Sequence, residues 1–232
     1  MKKICKIFVL LSMFAAAFMT NSLGAQTAEE FSVSVTRDGT GIIITGYSGR
    51  ATAVTIPQNI QGLPVKEIGT RAFRNTVITT ITIPQGVTII GANGFSGSDK
   101  LYSVTLPPTL VTIGREAFQG CTALTSIAIP RSVTSIEQSA FANTGLRSVT
   151  WPASVAEIAD YMFRECHNLT TVVLPEGLTR IGTGAFYRCP ALTEINMPST
   201  LTGIANLAFT GATAIPLGTQ AAIRRAGYRG NF

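Results

Sequence analysis

Charge is scarce in this chain. Only 13% of its 232 residues are Asp, Glu, Lys or Arg, against 46% apolar, which excludes a disordered, self-solvating polypeptide. The formal charge of +6 is no sign of nucleic-acid binding. Lys2, Lys3 and Lys6 sit in a leader expected to be removed, and without them 15 basic residues face 12 acids, a net of +3. The remaining basic residues are scattered apart from Arg224, Arg225 and Arg229, and no basic stripe interleaved with aromatics exists. Histidine is represented once, by His167, and there is no Cys-x-x-Cys, so a zinc site lacks ligands. Cys166 and His167 are neighbours in sequence, whereas a nucleophile and its base need facing side chains. His167 is therefore expected in an exposed loop. No phosphate loop, Gly-x-Ser-x-Gly elbow or paired inward carboxylates occur. Neither an enzyme activity nor a cofactor or metal is expected.

Long apolar runs are also absent beyond the start. Met1 to Lys6 is short and basic, Ile7 to Met19 is apolar, and Ser22-Leu23-Gly24-Ala25 offers small residues for cleavage. That is the pattern of an export signal over 1–25. Its apolar run is short for a spanning helix, so no stable membrane span is expected after cleavage. The mature chain is expected in the periplasm, at the cell surface or secreted.

What is abundant is periodicity. Phe73, Phe95, Phe118, Phe141, Phe163, Phe186 and Phe209 follow one another at 22, 23, 23, 22, 23 and 23 residues. Pro84, Pro107, Pro130, Pro152, Pro175 and Pro198 each precede a phenylalanine by 11. Such a beat is the mark of a solenoid. Within one unit, Ser126 to Ile129 alternates polar and apolar as a half-buried strand does. Pro130 removes an amide donor and ends the pairing. Val133 and Ile136 define a second inward segment, a short strand or extended turn, and Ala140-Phe141 closes the coil. A single coil of this length cannot bury enough apolar area to offset its ordering entropy, so stability must come from stacking. The predicted fold is a mainly-β repeat solenoid with a parallel sheet on one face and short strands or turns on the other.

Open ends of such an array need caps. Phe31 to Tyr47 reads as two alternating strands around Asp38-Gly39, a β-hairpin over the first coil. That first coil is atypical: Pro57 to Phe73 spans 16 residues, with Gly62-Leu63-Pro64 as the insertion. At the far end Thr219 is placed to cap a short helix, Gln220 to Ala226, stopping at Gly227. The expected organisation is a leader over 1–25, an N-terminal cap over 26–56, about seven coils over 57–215 and a C-terminal cap over 216–232. Two steps of 22 residues are expected to bend the array.

The pattern Ala-Phe-x-x-Cys-x-x-Leu-Thr-x-Ile-x-Ile-Pro, as in Ala117 to Pro130, resembles the BspA-like, or treponemal, class of leucine-rich repeat. The segment Ile44 to Tyr47 leading to Gly62-Leu63-Pro64-Val65 and Ile68-Gly69 is similar to that family's usual opening. The resemblance runs over roughly residues 31 to 215. It implies a leucine-rich-repeat solenoid on a bacterial surface or secreted from the cell. It also implies a protein-binding role, in adhesion to host matrix or plasma proteins or in cell–cell contact. A structural envelope protein that associates with itself or with other envelope components is the alternative.

Three features are candidates for function. The outward strand positions Thr80, Thr82, Ser103, Thr105, Ser126, Ser148, Thr150, Thr171, Glu194 and Asn196 form one nearly uncharged strip, the candidate binding face. Such residues also simply suit an exposed strand. Trp151 falls in register with the inward Ile83, Leu106, Ile129, Leu174 and Met197, a core position. It lies in a shortened coil, however, and a distorted strand there would leave its ring free as an aromatic anchor. Cys121, Cys166 and Cys189 share one register with Thr76, Ser98, Thr144 and Ala212, a ladder of small residues in a tight turn. They are buried free thiols, or Cys166 and Cys189, roughly 5 Å apart if adjacent coils stack like strands, are bridged.

Overall fold

The computed structural model describes residues 27–232. The export-signal expectation over 1–25 lies outside the described residues. The chain begins with the predicted hairpin, β1 (Phe31–Val35) antiparallel to β2 (Ile42–Tyr47). Asp38 fastens its turn by accepting hydrogen bonds from the Thr36 and Thr40 hydroxyls, which hold its carboxyl well below the usual range. Next come β3 (Ala53–Thr55), β4 (Asn59–Ile60) and β5 (Leu63–Ile68). The insertion at Gly62-Leu63-Pro64 is a second tight hairpin: β4 pairs antiparallel with β5 across Gln61 and Gly62, both at positive φ.

From there each coil repeats one path. A strand precedes the proline, a shorter strand follows it, and the Ala-Phe turn closes the circuit. The pairs are β6 (Thr80–Thr82) with β7 (Ile89–Ile90), and β8 (Ser103–Thr105) with β9 (Thr112–Ile113). The next coil contributes only β10 (Ser135–Ile136). Then follow β11 (Ser148–Thr150) with β12 (Glu157–Ile158), β13 (Thr171–Val173) with β14 (Arg180–Ile181), and β15 (Glu194–Ile195) with β16 (Gly203–Ile204). The strands before the prolines form one parallel sheet face, β3-β6-β8 and β11-β13-β15. The strands after them form a second, since β5, β7, β9 and β10 pair in parallel, as do β12, β14 and β16. The short post-proline segments are thus a sheet in their own right, and the N-terminal hairpin extends it, with β2 parallel to β5.

The repeating phenylalanine is the spine. All seven rings are fully buried, and neighbours stack with centroids 5.2 to 6.0 Å apart. Aromatic rings from the caps close both ends of the column. Tyr47 lies 5.8 Å from Phe73, and Tyr228 meets Phe209 edge-on at 5.5 Å. The turn carrying each ring is left-handed twice. The residue two before the phenylalanine has positive φ in every coil: Arg71, Asn93, Glu116, Ser139, Tyr161, Gly184 and Leu207. So does the residue two after it, from Asn75 through Gly211. Only three of these pairs of positions hold a glycine in the second place, so most of these turns accept the steric cost of a Cβ in that region.

Six of the seven residues three after a phenylalanine carry a hydroxyl or thiol, Ala212 being the exception; Thr76 and Thr144 donate to the phenylalanine carbonyl of their own coil, and the other four reach the preceding coil. Ser98 donates to the Phe73 carbonyl at 2.7 Å, Cys121 to Phe95 at 3.2 Å, Cys166 to Phe141 at 3.1 Å and Cys189 to Phe163 at 3.0 Å. Each therefore occupies a backbone acceptor of the preceding coil, which explains why hydroxyl and thiol interchange at this register.

The C-terminal helix, α1, runs Leu217–Arg225 and buries Ile223 while Arg224 and Arg225 face solvent. It starts earlier than predicted. Pro216 is the N-cap and no side chain caps it, so Thr219 lies inside the helix rather than ahead of it. Proline, with φ fixed and no amide to orphan, is suited to that junction. The helix ends before Gly227, at φ +106°.

Candidate interaction surface

The strip residues share a face as expected, but the face is in two pieces. Thr80 stands beside Ser103 and Thr82 beside Thr105 through the β6–β8 pairing. Ser148 stands beside Thr171, and Thr171 beside Glu194, through β11, β13 and β15. Between the pieces lies Ser126, where no strand forms. Most of the strip faces solvent. Three members are already engaged. The Asn196 amide group donates to the Leu174 carbonyl and accepts from its N–H, and the Thr171 hydroxyl donates to Glu194 at 3.2 Å.

The interruption has a definite anatomy. Ser126, Ile127, Ala128 and Ile129 make no backbone hydrogen bond among the described residues. On the second face the ladder also stops, between β10 and β12. On the first face the break lies on both sides of segment 126–129, which pairs with neither β8 nor β11, and on the second it falls between the coils of Phe141 and Phe163. The third side stays closed there: Ser139, Phe141 and Asn143 donate to Asp160, Met162 and Arg164. Between the coils of Phe141 and Phe163 both strand ladders are interrupted, and away from the phenylalanine spine those coils are joined, among the described residues, by an Arg147 N–H bond to the Thr125 carbonyl at 3.1 Å and a Ser154 hydroxyl bond to the Val133 carbonyl.

A shortened coil does not suffice to cause this. The step from Phe73 to Phe95 is equally short, yet β3–β6 and β5–β7 pair across it. What distinguishes the second short step is Trp151, which stands where other coils carry isoleucine, leucine or methionine. Its ring is 1% exposed, edge-on to Phe163 at 5.8 Å, so it is core and not a free aromatic anchor. An indole needs more width than a leucine, and the adjoining segment 126–129 is left unpaired with β11. Trp151 also settles a backbone debt. In other coils a Ser or Thr two after the proline donates to the preceding coil's carbonyl, as Thr109 does to Val87 and Thr200 to Leu178. For Val155 that residue is Gly177, which has no hydroxyl, and the indole Nε1 donates to the Val155 carbonyl at 3.1 Å instead. The turn that enters this coil is held closed by Gly145, where a Cβ would lie 2.2 Å from the Thr122 oxygen.

Opening the sheet makes a cleft of about 810 Å³ lined by Ser126 to Ile129, Arg131, Ser148 and Thr150 to Ser154, with Val173 and Pro175 at its edge. Val104, Leu106, Ile127 and Ile129 are left half-buried, whereas their counterparts Ile81, Ile83, Val172 and Leu174 are buried. Of this lining, Ser126, Ser148, Thr150 and Trp151 are candidates from the sequence, whereas Arg131 and the cleft itself are not. The short step and the tryptophan were the available signals.

The other candidates are quiet. His167 is exposed, in the loop where it was expected. Cys166 and Cys189 are unbridged here, and all three thiols are buried. Burial pushes Cys121 up to about 12 and Cys166 up to about 11, and Cys189 upward as well, away from the range of a reactive thiolate. Among the described residues no cluster of His, Cys, Asp and Glu is arranged to hold a metal, and no helix is long and apolar enough to cross a membrane.

Comparison with known proteins agrees with this architecture. The family described as BspA type leucine rich repeat region matches residues 47–161 and 88–216, in six copies. The chain belongs to that family. No curated relative matches it. Among solved structures, the leucine-rich repeat protein TpLRR of T. pallidum is similar at 36% identity and a TM-score of 0.86, over 90% of this chain and 98% of that one. A leucine-rich cell surface protein of Faecalibacterium prausnitzii is 36% identical with a TM-score of 0.75, over 82% of this chain and 53% of that one. A leucine-rich repeat protein of Bacteroides ovatus is 25% identical with a TM-score of 0.64, over 78% of this chain and 55% of that one. The chain thus spans nearly all of the first and about half of the other two. The family and fold are those of a protein-interaction scaffold.

Proposed function

We propose that this chain is an exported protein-binding module that presents its first sheet face to a host matrix or plasma protein or to a neighbouring cell. The observation that carries this reading is the solvent-facing strip of Thr80, Thr82, Ser103, Thr105, Ser148 and Thr150, split by a cleft. Repeat solenoids bind along such extended faces. Likeness to a protein described as a cell surface protein supports the location. Affinity on a strip of this kind comes from many weak polar contacts, so charge placed on it weakens binding without touching the core.

The test has two stages. Protease shaving of intact cells establishes whether the chain is reached from outside. Purified mature protein is then offered to immobilised matrix and plasma proteins beside Thr105→Arg and Thr150→Arg variants. Binding that drops at least tenfold in those variants, with unchanged circular dichroism, fits the reading. Unchanged binding moves the site off this face. Light scattering across a hundredfold concentration range addresses the alternative: growth in mass would favour an envelope component that assembles with itself.

A further inference from the structure

The cleft beside Trp151 differs in kind from the rest of the strip: one wall is the free edge of β11, the other is the unpaired run 126–129, and the two meet at one end, where the Arg147 N–H donates to the Thr125 carbonyl. Alternate amides of a parallel strand point to opposite neighbours. Trp151 N–H donates to the Val173 carbonyl on one side, so the Thr150 N–H points the other way, into the cleft. No N–H or C=O of Ser126 to Ile129 is bonded to another part of the backbone. A buried or half-buried backbone group normally has a partner, and here a row of them faces a cavity with half-buried Ile127 and Ile129 on its wall. Water can solvate these groups one at a time, and a ligand that replaces it along the whole row needs its own alternating donors and acceptors, which is what an extended polypeptide carries.

The lining also selects charge. Arg131 is the only charged residue in it, and it makes no ion pair among the described residues. No carboxylate lines the cleft to neutralise it. We propose that the cleft is a seat for one extended segment of a partner protein, about four residues long, which pairs as a strand with the free edges and sets a carboxylate against Arg131. The length follows from the unpaired run Ser126 to Ile129. This rests on the protein-binding reading above and narrows it to one seat and one mode of recognition. Serine and threonine flanking the cleft leave the outward side chains of the guest free of steric conflict, so the guest is specified by its backbone and its acid more than by shape.

The probe is a fixed set of fluorescein-labelled, acetylated hexapeptides of alternating Thr and Val, with one Asp placed at each position in turn. Binding to the mature protein is read by fluorescence anisotropy. The expected result is saturable binding by at least one member, weakened tenfold or more when alternate amides of that peptide are N-methylated. Arg131→Glu weakens it to a similar extent. Thr150→Pro removes an N–H that the folded protein leaves unused, so the fold is retained and binding is lost. Trp151→Leu, which restores a side chain native to this register at Leu106 and Leu174, lets the sheet close and also abolishes binding; it stands in if the proline variant misfolds. Val111→Lys, on the second sheet face, leaves binding unchanged. Hydrogen exchange at Ile127, Ile129 and Thr150 is fast in the free protein and slows at least tenfold with peptide.

Absence of saturable binding across the set overturns the proposal. So does binding that N-methylation and Thr150→Pro leave intact, or a dimer that forms without peptide and is lost in Thr150→Pro, which would make a second copy the occupant. Matrix-protein binding that persists in Thr150→Pro sinks this seat alone and leaves the broader reading standing. Loss of all partner binding in wild type sinks both.

Discussion

Replacing Phe163 by alanine should do more than cost stability: it should divide the molecule. The ring is fully buried, stacks on Phe141 at 6.0 Å and on Phe186 at 5.5 Å, and takes the Trp151 edge at 5.8 Å. Truncating a buried phenylalanine costs about 3–5 kcal/mol. Three aromatic partners, each adding roughly 0.5–1.5 kcal/mol, place this site at the upper end, about 5 kcal/mol. That is a third or more of the roughly 5–15 kcal/mol that holds a domain together. Phe95 offers the contrast. It has two stacked partners at 5.2 Å, and both sheets run unbroken past it, so Phe95→Ala should cost about 4 kcal/mol and keep one transition. At Phe163 the sheets have already parted, and the ring column is a large share of what couples the two halves. In a nearest-neighbour array, weakening one interface lets the segments unfold separately. Urea unfolding followed by far-ultraviolet circular dichroism and by tryptophan fluorescence distinguishes the two, since Trp151 is the only tryptophan and reports on the weakened interface. Phe163→Ala should show the fluorescence transition well below the circular dichroism transition. A single coincident transition with the wild-type slope, or a loss no larger than that of Phe95→Ala, would refute this division.

Three further outcomes follow from local geometry. Burial raises the folded pKa values of Cys121, Cys166 and Cys189, with the first two reaching about 12 and about 11. Above pH 9 the unfolded chain loses these protons while the folded chain keeps them, so stability should fall from about pH 9 to 11, up to tenfold in the folding equilibrium per thiol per pH unit. Replacing all three by threonine, the residue native at Thr76 and Thr144, should flatten that slope in pH-dependent urea titrations, and identical slopes would contradict the burial argument. The wild-type protein, purified without reductant and denatured, should release three titratable thiols from the described chain, whereas one would reveal a Cys166–Cys189 bridge. Leu207 is 46% exposed with φ +62°. Relief of a left-handed strain of roughly 1–2 kcal/mol outweighs the added chain entropy of glycine, so Leu207→Gly should stabilise by about 0.5–1 kcal/mol and raise Tm by roughly 1–4 °C. A lower Tm in differential scanning calorimetry would show that this turn is not strained.

The repeat, its register and its caps were legible in the sequence because they rest on spacing. The phenylalanine beat fixed the stacked column, the prolines fixed where each strand stops, and the alternation around Asp38-Gly39 fixed the hairpin. Local rules govern all three: side-chain periodicity, a missing amide and turn chemistry. The pairing of the post-proline segments into a second sheet was not legible, since two residues per coil carry little pattern and only their neighbours in adjacent coils make them a strand. The left-handed turns around each phenylalanine were hidden for a related reason, with Glu116, Tyr161, Arg188 and Leu207 giving no glycine to signal them. The start of α1 was set by Pro216 rather than by Thr219, because docking of Ile223 and Tyr228 on the last coil decides where the chain turns. Trp151 is the clearest division between the two kinds of information. Its register, and hence its burial, follow from the repeat. That burying an indole in a short coil parts both sheets, and leaves the β11 edge facing a cleft, depends on how much width the neighbouring coils yield, a quantity that exists only once they are packed.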